Sequence, residues 1–140
     1  MDIILDFDGT VVTSEFPQIG EDIGAAPVLK ELVEFGHNLI LFTMRSDMPE
    51  AHTKTLGIVN APGAYLTDAI NWFQQRSIPL YGIQKHPTQH AWTSSPKAYG
   101  DIMIDDKTLG CPLVYGKHKS PYVDWVKIRE LLAGIGCFSE

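Results

Sequence analysis

Asp6 and Asp8 stand two residues apart in Asp6-Phe7-Asp8-Gly9-Thr10, directly after the apolar run Ile3-Ile4-Leu5. Side chains at i and i+2 of an extended segment point the same way, so the two carboxylates can converge on one reacting atom or one cation while Phe7 turns back into the protein. Asp105 and Asp106 close a second apolar run, Ile102-Met103-Ile104, and Thr43 closes a third, Leu39-Ile40-Leu41-Phe42. Lys97 stands ahead of the Asp105 strand, and Arg45 lies two residues beyond Thr43. Several carboxylates, a hydroxyl and a lysine at strand ends suit the handling of a phosphate. A divalent cation would screen an attacking carboxylate from the anionic phosphoryl group, and a lysine would neutralise charge on the group in transfer.

Such residues meet only if the elements carrying them end along one edge. Residues 2 to 7 predict a first strand, and Ala25 to Phe35 a helix with Pro27 in its first turn and Gly36 as its stop. The unalternating run from Asn38 to Thr43 fits a strand covered on both faces. Beyond a polar loop from Ser46 to Gly63, Leu66, Ala69, Ile70 and Phe73 recur at helical spacing, and Ile78 to Ile83 predict a third strand. Gln84 to Pro96 is polar and irregular, Asp101 to Asp105 supplies a fourth strand, and Pro112 to Tyr115 a short fifth. Ser120-Pro121 reads as cap and first-turn proline of a last helix with Trp125, Ile128, Leu131 and Leu132 on its apolar side. The alternation predicts an α/β fold, a doubly wound, Rossmann-like parallel sheet of about five strands in a single domain spanning residues 1–140. In that architecture chemistry sits at the carboxyl ends of the strands, where all the polar residues named above would gather.

Composition narrows the function classes. The chain has 140 residues, 44% of them hydrophobic and 20% charged, with a net charge of −6. That sign argues against general nucleic-acid binding and requires positive charge to be arranged locally for any anionic substrate. No segment reaches the ~20 apolar residues that cross a bilayer, and the start of the sequence has no secretory pattern. A cytoplasmic protein without a membrane partner is expected. Cys111 and Cys137 have no paired spacing and are expected to be free thiols.

Asp6-Phe7-Asp8-Gly9-Thr10 resembles the signature of the haloacid dehalogenase (HAD) superfamily, whose members are mostly magnesium-dependent phosphatases. The stretch Phe16 to Gly20, the run Gly36 to Arg45, and Pro96 to Gly110 with its lysine ahead of a D-x-x-x-D-D strand are similar to a small capless branch of that superfamily. Ser46 to Gly63 departs by its greater length. The resemblance implies an HAD-like fold without a large cap domain and a Mg²⁺-dependent phosphohydrolase acting through an aspartyl-phosphate. Asp6 would be the nucleophile and Asp8 the acid and base. Asp6, Asp105 and the backbone carbonyl of Asp8 would hold the metal, with Asp106 beside it. Thr43, Lys97 and the backbone N–H groups at Gly9 and Thr10 would bind the substrate phosphate, and Arg45 is a candidate substrate contact. The partner would be a phosphorylated substrate, whether small molecule, nucleotide or macromolecular phosphate, and a homo-oligomer stays open.

Other readings compete with these. A phosphoryl-accepting regulatory domain combines similar residues on a similar sheet, but it places the accepting aspartate after the third strand, where Tyr81-Gly82-Ile83-Gln84 has none. A noncatalytic phosphate-binding module on the same fold is a further alternative. His86 and His90 are expected in a solvated loop, since Pro87 breaks the helix that would align them. Trp92 is expected to anchor that loop, and Lys117-His118-Lys119 to form a solvated turn. Trp72 and Trp125 are expected in the core or at an interface.

Overall fold

The computed structural model describes residues 1–48 and 63–139. Four strands form the central parallel sheet: β1 (Asp2–Leu5), β2 (Asn38–Leu41), β5 (Gly82–Ile83) and β6 (Ile102–Ile104), in the spatial order β5-β2-β1-β6. Three helices accompany them: α1 (Ala25–Glu34), α2 (Tyr65–Gln75) and α3 (Trp125–Gly134). Two short antiparallel pairs lie outside the sheet: β3 (Asp47–Met48) with β4 (Gly63–Ala64), and β7 (Leu113–Val114) with β8 (Tyr122–Val123).

The handedness of parallel connections explains the layers. The steps from β1 through α1 to β2, and from β2 through α2 to β5, walk the same way along the sheet. Right-handed crossovers therefore put both helices on one face. Ile3, Leu5, Leu39, Leu41 and Ile104 point to that face and share one buried cluster with Leu29 and Leu32 of α1, Trp72 and Phe73 of α2, and Ile128 and Leu132 of α3. Each such aliphatic side chain contributes ~1.5–3 kcal/mol by leaving water, so this cluster is the main support of the fold.

The return step from β5 to β6 passes back over β2 and β1, and so must cross the opposite face. Among the described residues, no α-helix lies there. Residues 84–101 cover the face with a loop containing only a three-residue 3-10 turn, Gln89–Ala91. Gly100 lies so close to Ile4 that a Cβ would come within 2.7 Å of its side chain. A loop pressed on a sheet must satisfy its own polar groups, and buried Gln89 does this. Its Oε1 accepts from the N–H groups of His86 (2.9 Å) and Tyr99 (3.0 Å), and its Nε2 donates to the carbonyl of Lys97 (3.0 Å). His86 is likewise buried, its Nε2 2.8 Å from Asp2 Oδ2, so it is a packed ring and not the solvated one expected from its polar surroundings.

Two further expectations change. Leu113–Val114 is no fifth strand of the sheet but half of a hairpin with Tyr122–Val123, because the short connection between them allows only an antiparallel return. Ser120-Pro121 precedes that hairpin strand, and the true cap of α3 is Asp124, which accepts from Lys127 N–H at 3.2 Å. The N-terminus of α1 is capped from outside by Asp22, whose Oδ1 accepts from Gly24 (3.1 Å) and Ala25 (3.0 Å). Trp72 and Trp125 are in the core as expected. Most of the long loop after Ser46 falls on residues 49–62, outside the described residues. No described helix is long and apolar enough to cross a membrane.

Candidate active site

The strand order reverses between β1 and β6, and such a switch point opens a crevice at the carboxyl ends of the strands. Register then decides which side chains share it. Leu5 pairs with Leu41 on one side and Ile104 on the other, so the next residue of each chain, Asp6 and Asp105, emerges at the same level. Asp6 N–H donates to the Ile104 carbonyl (3.1 Å), which fixes that neighbourhood. Asp6, Asp105 and Asp106 each offer a carboxylate oxygen within 4.8 Å of the others. They line a cavity of ≈ 400 Å³ together with Asp8, Thr43, Arg45, Lys107, Ser14, Phe16, Met44 and Ser120.

Thr10 ties the cluster together. Its fully buried Oγ1 accepts from the N–H of Asp106 (3.0 Å) and lies 3.0 Å from Asp6 Oδ2 and 3.2 Å from Asp106 Oδ1, to either of which its single proton can be donated. Trp125, at the start of α3, holds the same loop by donating Nε1–H to the Thr10 carbonyl at 2.6 Å. Gly9 has φ +79°, and a Cβ there would stand 2.5 Å from Asp106 Oδ2, so only glycine permits this approach.

The carboxylates are packed closely enough to disturb one another. Burial, the Asp105 charge and the hydrogen bond with Asp106 push Asp6 up from 3.8 to about 8, against the opposing pull of Phe7 N–H and the Thr10 hydroxyl. A divalent cation held by Asp6, Asp105 and Asp106 would remove that repulsion, so the donor set fits a hard, oxygen-seeking ion.

Asp8 is held differently. Its two oxygens each accept from Arg45, Nε to Oδ2 and Nη2 to Oδ1, both at 2.8 Å. Arg45 is only 2% exposed, and its remaining donors go to the carbonyls of Pro17 (3.3 Å), Tyr65 (3.2 Å) and Gln18 (2.8 Å). The expected substrate contact at Arg45 is therefore corrected: its guanidinium is consumed by protein acceptors. The loop presenting it is pinned by Gln84, which accepts from Thr43 N–H (2.8 Å) and donates to the carbonyls of Thr43 (2.7 Å) and Arg45 (3.2 Å).

Two other expected roles also fail. The N–H groups of Gly9 and Thr10 donate to Val12 O (2.8 Å) and Phe7 O (3.1 Å), closing the turn on itself and leaving no phosphate cradle there. Lys97 is exposed and lies in a separate depression with Trp92, Tyr99 and Gly100. It precedes β6, whose start pairs with the start of β1, so it approaches the sheet from the amino edge while the carboxylates sit at the other. Among the described residues, the lysine that does line the cavity is Lys107, its Nζ 3.8 Å from Asp106 Oδ2. The sequence carried a signal for it, since Lys107 directly follows the second aspartate pair.

Around this centre, His118 and Lys119 both pair with Glu15, at 2.6 and 3.8 Å, so this stretch is braced against the 14–20 segment and is not a freely solvated turn. Trp92 is 61% exposed and touches Tyr99, 5.3 Å between centroids.

No family model and no curated protein matches the chain. A solved structure does match: a conserved protein coded by a locus of Bacteroides thetaiotaomicron, 31% identical, covering 96% of this chain and 91% of its own, with a TM-score of 0.71.

Proposed function

This chain belongs to the same family as the conserved Bacteroides protein, and from the chemistry of its own cavity we propose that it is a Mg²⁺-dependent phosphohydrolase of HAD-like fold, with Asp6 as nucleophile. The observation that carries this reading is the convergence of Asp6, Asp105 and Asp106 within 4.8 Å at the switch point of the sheet. Asp6, Asp105 and Asp106 would hold the ion. When bound, Mg²⁺ supplies charge screening between carboxylate and phosphate and polarises the phosphoryl oxygens.

The chain's residues then divide the work. One Asp6 oxygen attacks phosphorus while the bond to the leaving oxygen breaks, giving an aspartyl-phosphate and the free alcohol or phenol. Thr43, whose Oγ1 accepts from Arg45 N–H at 3.1 Å, directs its hydroxyl proton to a phosphoryl oxygen. Lys107 takes the charge-neutralising role expected of Lys97. Water attacks phosphorus in the second step, Asp8 receives its proton, and inorganic phosphate leaves with Asp6 restored. For Asp8 to hand a proton to the leaving oxygen in the first step, one of its two Arg45 contacts has to open. Free Cys111 and Cys137 support a reducing, cytoplasmic setting.

The test is release of phosphate from p-nitrophenyl phosphate with and without Mg²⁺. We expect turnover that requires the ion and that Asp6→Asn abolishes while the fold persists. Undiminished turnover in that variant removes Asp6 as nucleophile. Stable labelling by acetyl phosphate with no turnover would replace the hydrolase by a phosphoryl-accepting switch.

A further inference from the structure

Two large apolar side chains stand at the mouth of an otherwise acidic cavity. Phe16 is 41% exposed and Met44 is 98% exposed, and both line the space that contains Asp6, Asp8 and Asp105. Single exposed apolar residues are ordinary on protein surfaces. These two line the same cavity as the carboxylates.

The ring of Phe16 is supported from within. The Arg45 guanidinium lies 5.1 Å from its centroid and the Tyr65 ring meets it edge-on at 5.1 Å. The next two carbonyls, of Pro17 and Gln18, accept from the same guanidinium, so the segment carrying the ring is fixed on both levels. Met44 sits between Thr43 and Arg45, whose carbonyls are both bound by the Gln84 side chain. Its backbone is thus constrained while its thioether extends outward. A fixed aromatic face beside a soft, adaptable methionine suits a flat ring, because stacking costs the Phe16 side no ordering and the thioether can adjust to the ring edge.

We propose that Phe16 and Met44 form a subsite for a planar aromatic group on the substrate, so that the cavity takes aromatic-bearing phosphates ahead of compact alkyl ones. This rests on the phosphohydrolase reading of the same cavity. Aryl phosphates and nucleoside monophosphates share the required chemistry, and the cavity volume of ≈ 400 Å³ falls in the range of small-ligand sites.

Binding of phenylphosphonate and methylphosphonate to the Mg²⁺-loaded protein, measured by calorimetry, isolates the ring from the chemistry. The phenyl compound should bind about tenfold more tightly, and the ratio should fall towards one in Phe16→Leu and in Met44→Ala. The second variant changes a side chain that is almost wholly in solvent, so it keeps the test valid should the first fold poorly. A nucleoside 5′-monophosphate compared with ribose 5-phosphate, and phenyl phosphate compared with glycerol phosphate, then separate the two sources by kcat/KM. Equal binding of the two phosphonates, or a ratio untouched by both substitutions, overturns the subsite alone. Binding of neither phosphonate together with no turnover overturns the subsite and the hydrolase reading with it.

Discussion

Replacing Asp6 by asparagine should stabilise the metal-free protein at alkaline pH, although it removes the proposed nucleophile. Asp6 titrates at about 8 in the fold against 3.8 as an isolated side chain, so the folded protein binds this proton more tightly than the unfolded chain does. The group's favourable contribution is therefore complete below about pH 4 and is lost as pH rises through 8. One pKa unit is worth ~1.4 kcal/mol, which caps the loss at ~6 kcal/mol between those limits. That is a large part of the ~5–15 kcal/mol that holds a domain together. Asparagine resembles the protonated acid in shape: its amide can donate to Asp106 and its oxygen can accept from Thr10. Urea denaturation in chelator at pH 5, 7 and 8 reads the effect without the screening that guanidinium salt would add. Wild type should lose on the order of 4 kcal/mol from pH 5 to pH 8, and Asp6→Asn should lose much less. The groups outside the cluster are common to both proteins, so the difference reports Asp6 together with its repulsion by Asp105. Millimolar Mg²⁺ should restore wild type at pH 8 and do little at pH 5, since an ion that binds only the folded state stabilises by mass action. Parallel pH profiles for the two proteins would refute the claim that these carboxylates are forced together.

Arg45→Met should cost ~3–5 kcal/mol in urea denaturation, because it strands the buried side of Asp8 and the carbonyls of Pro17 and Gln18; adding Asp8→Asn should return part of that loss, with no recovery showing that the pair is not coupled. Gln89→Leu should cost ~2–4 kcal/mol by orphaning the amides of His86 and Tyr99, and hydrogen exchange at Tyr99 N–H should accelerate while the Mg²⁺ affinity of the distant carboxylates stays within twofold. Trp125→Phe deletes the donor to the Thr10 carbonyl and should cost ~1–2 kcal/mol, with weaker Mg²⁺ binding by calorimetry as Thr10 loosens its hold on Asp6 and Asp106.

How much of this was legible in the sequence depended on whether local pattern or long-range geometry decided the outcome. β1 and β2 were readable because Ile3-Ile4-Leu5 and Leu39-Ile40-Leu41 are apolar on both faces, the mark of strands covered twice. The carboxylate cluster was readable because strand ends along one edge of a parallel sheet must meet. The resemblance places Lys97 at the site by its offset from Asp105, whereas β6 spends that offset crossing from one edge of the sheet to the other. Pro87 rules out a helix at His86 but says nothing of whether the loop there is covered. The right-handed return from β5 to β6 obliges residues 84–101 to cover a sheet face, and a covering loop buries its polar groups in pairs. Arg45 had no sequence signal for its true role, since its acceptors come from residues 8, 17, 18 and 65.

That bracing links the two halves of the site. Gln84 leaves β5 with φ +65°, a left-handed turn that brings its amide across to the backbone of Thr43 and Arg45. Arg45 then reaches Asp8 at the end of β1, the segment of Phe16 to Gln18, and the first residue of α2. The loop after β1 and the start of α2 thus converge on one guanidinium whose own backbone Gln84 holds, and neither can shift without breaking a charged hydrogen bond to Arg45. Asp6, Asp105 and Asp106 form the acidic side of the cavity, where the Thr10 hydroxyl bridges Asp6 and Asp106 and where carboxylates repel. The cavity is rigid on its Arg45 wall and electrostatically tense on its acidic wall. A cation held by Asp6, Asp105 and Asp106 would therefore relax the acidic side against a wall that already holds Asp8, Thr43 and Phe16 in place.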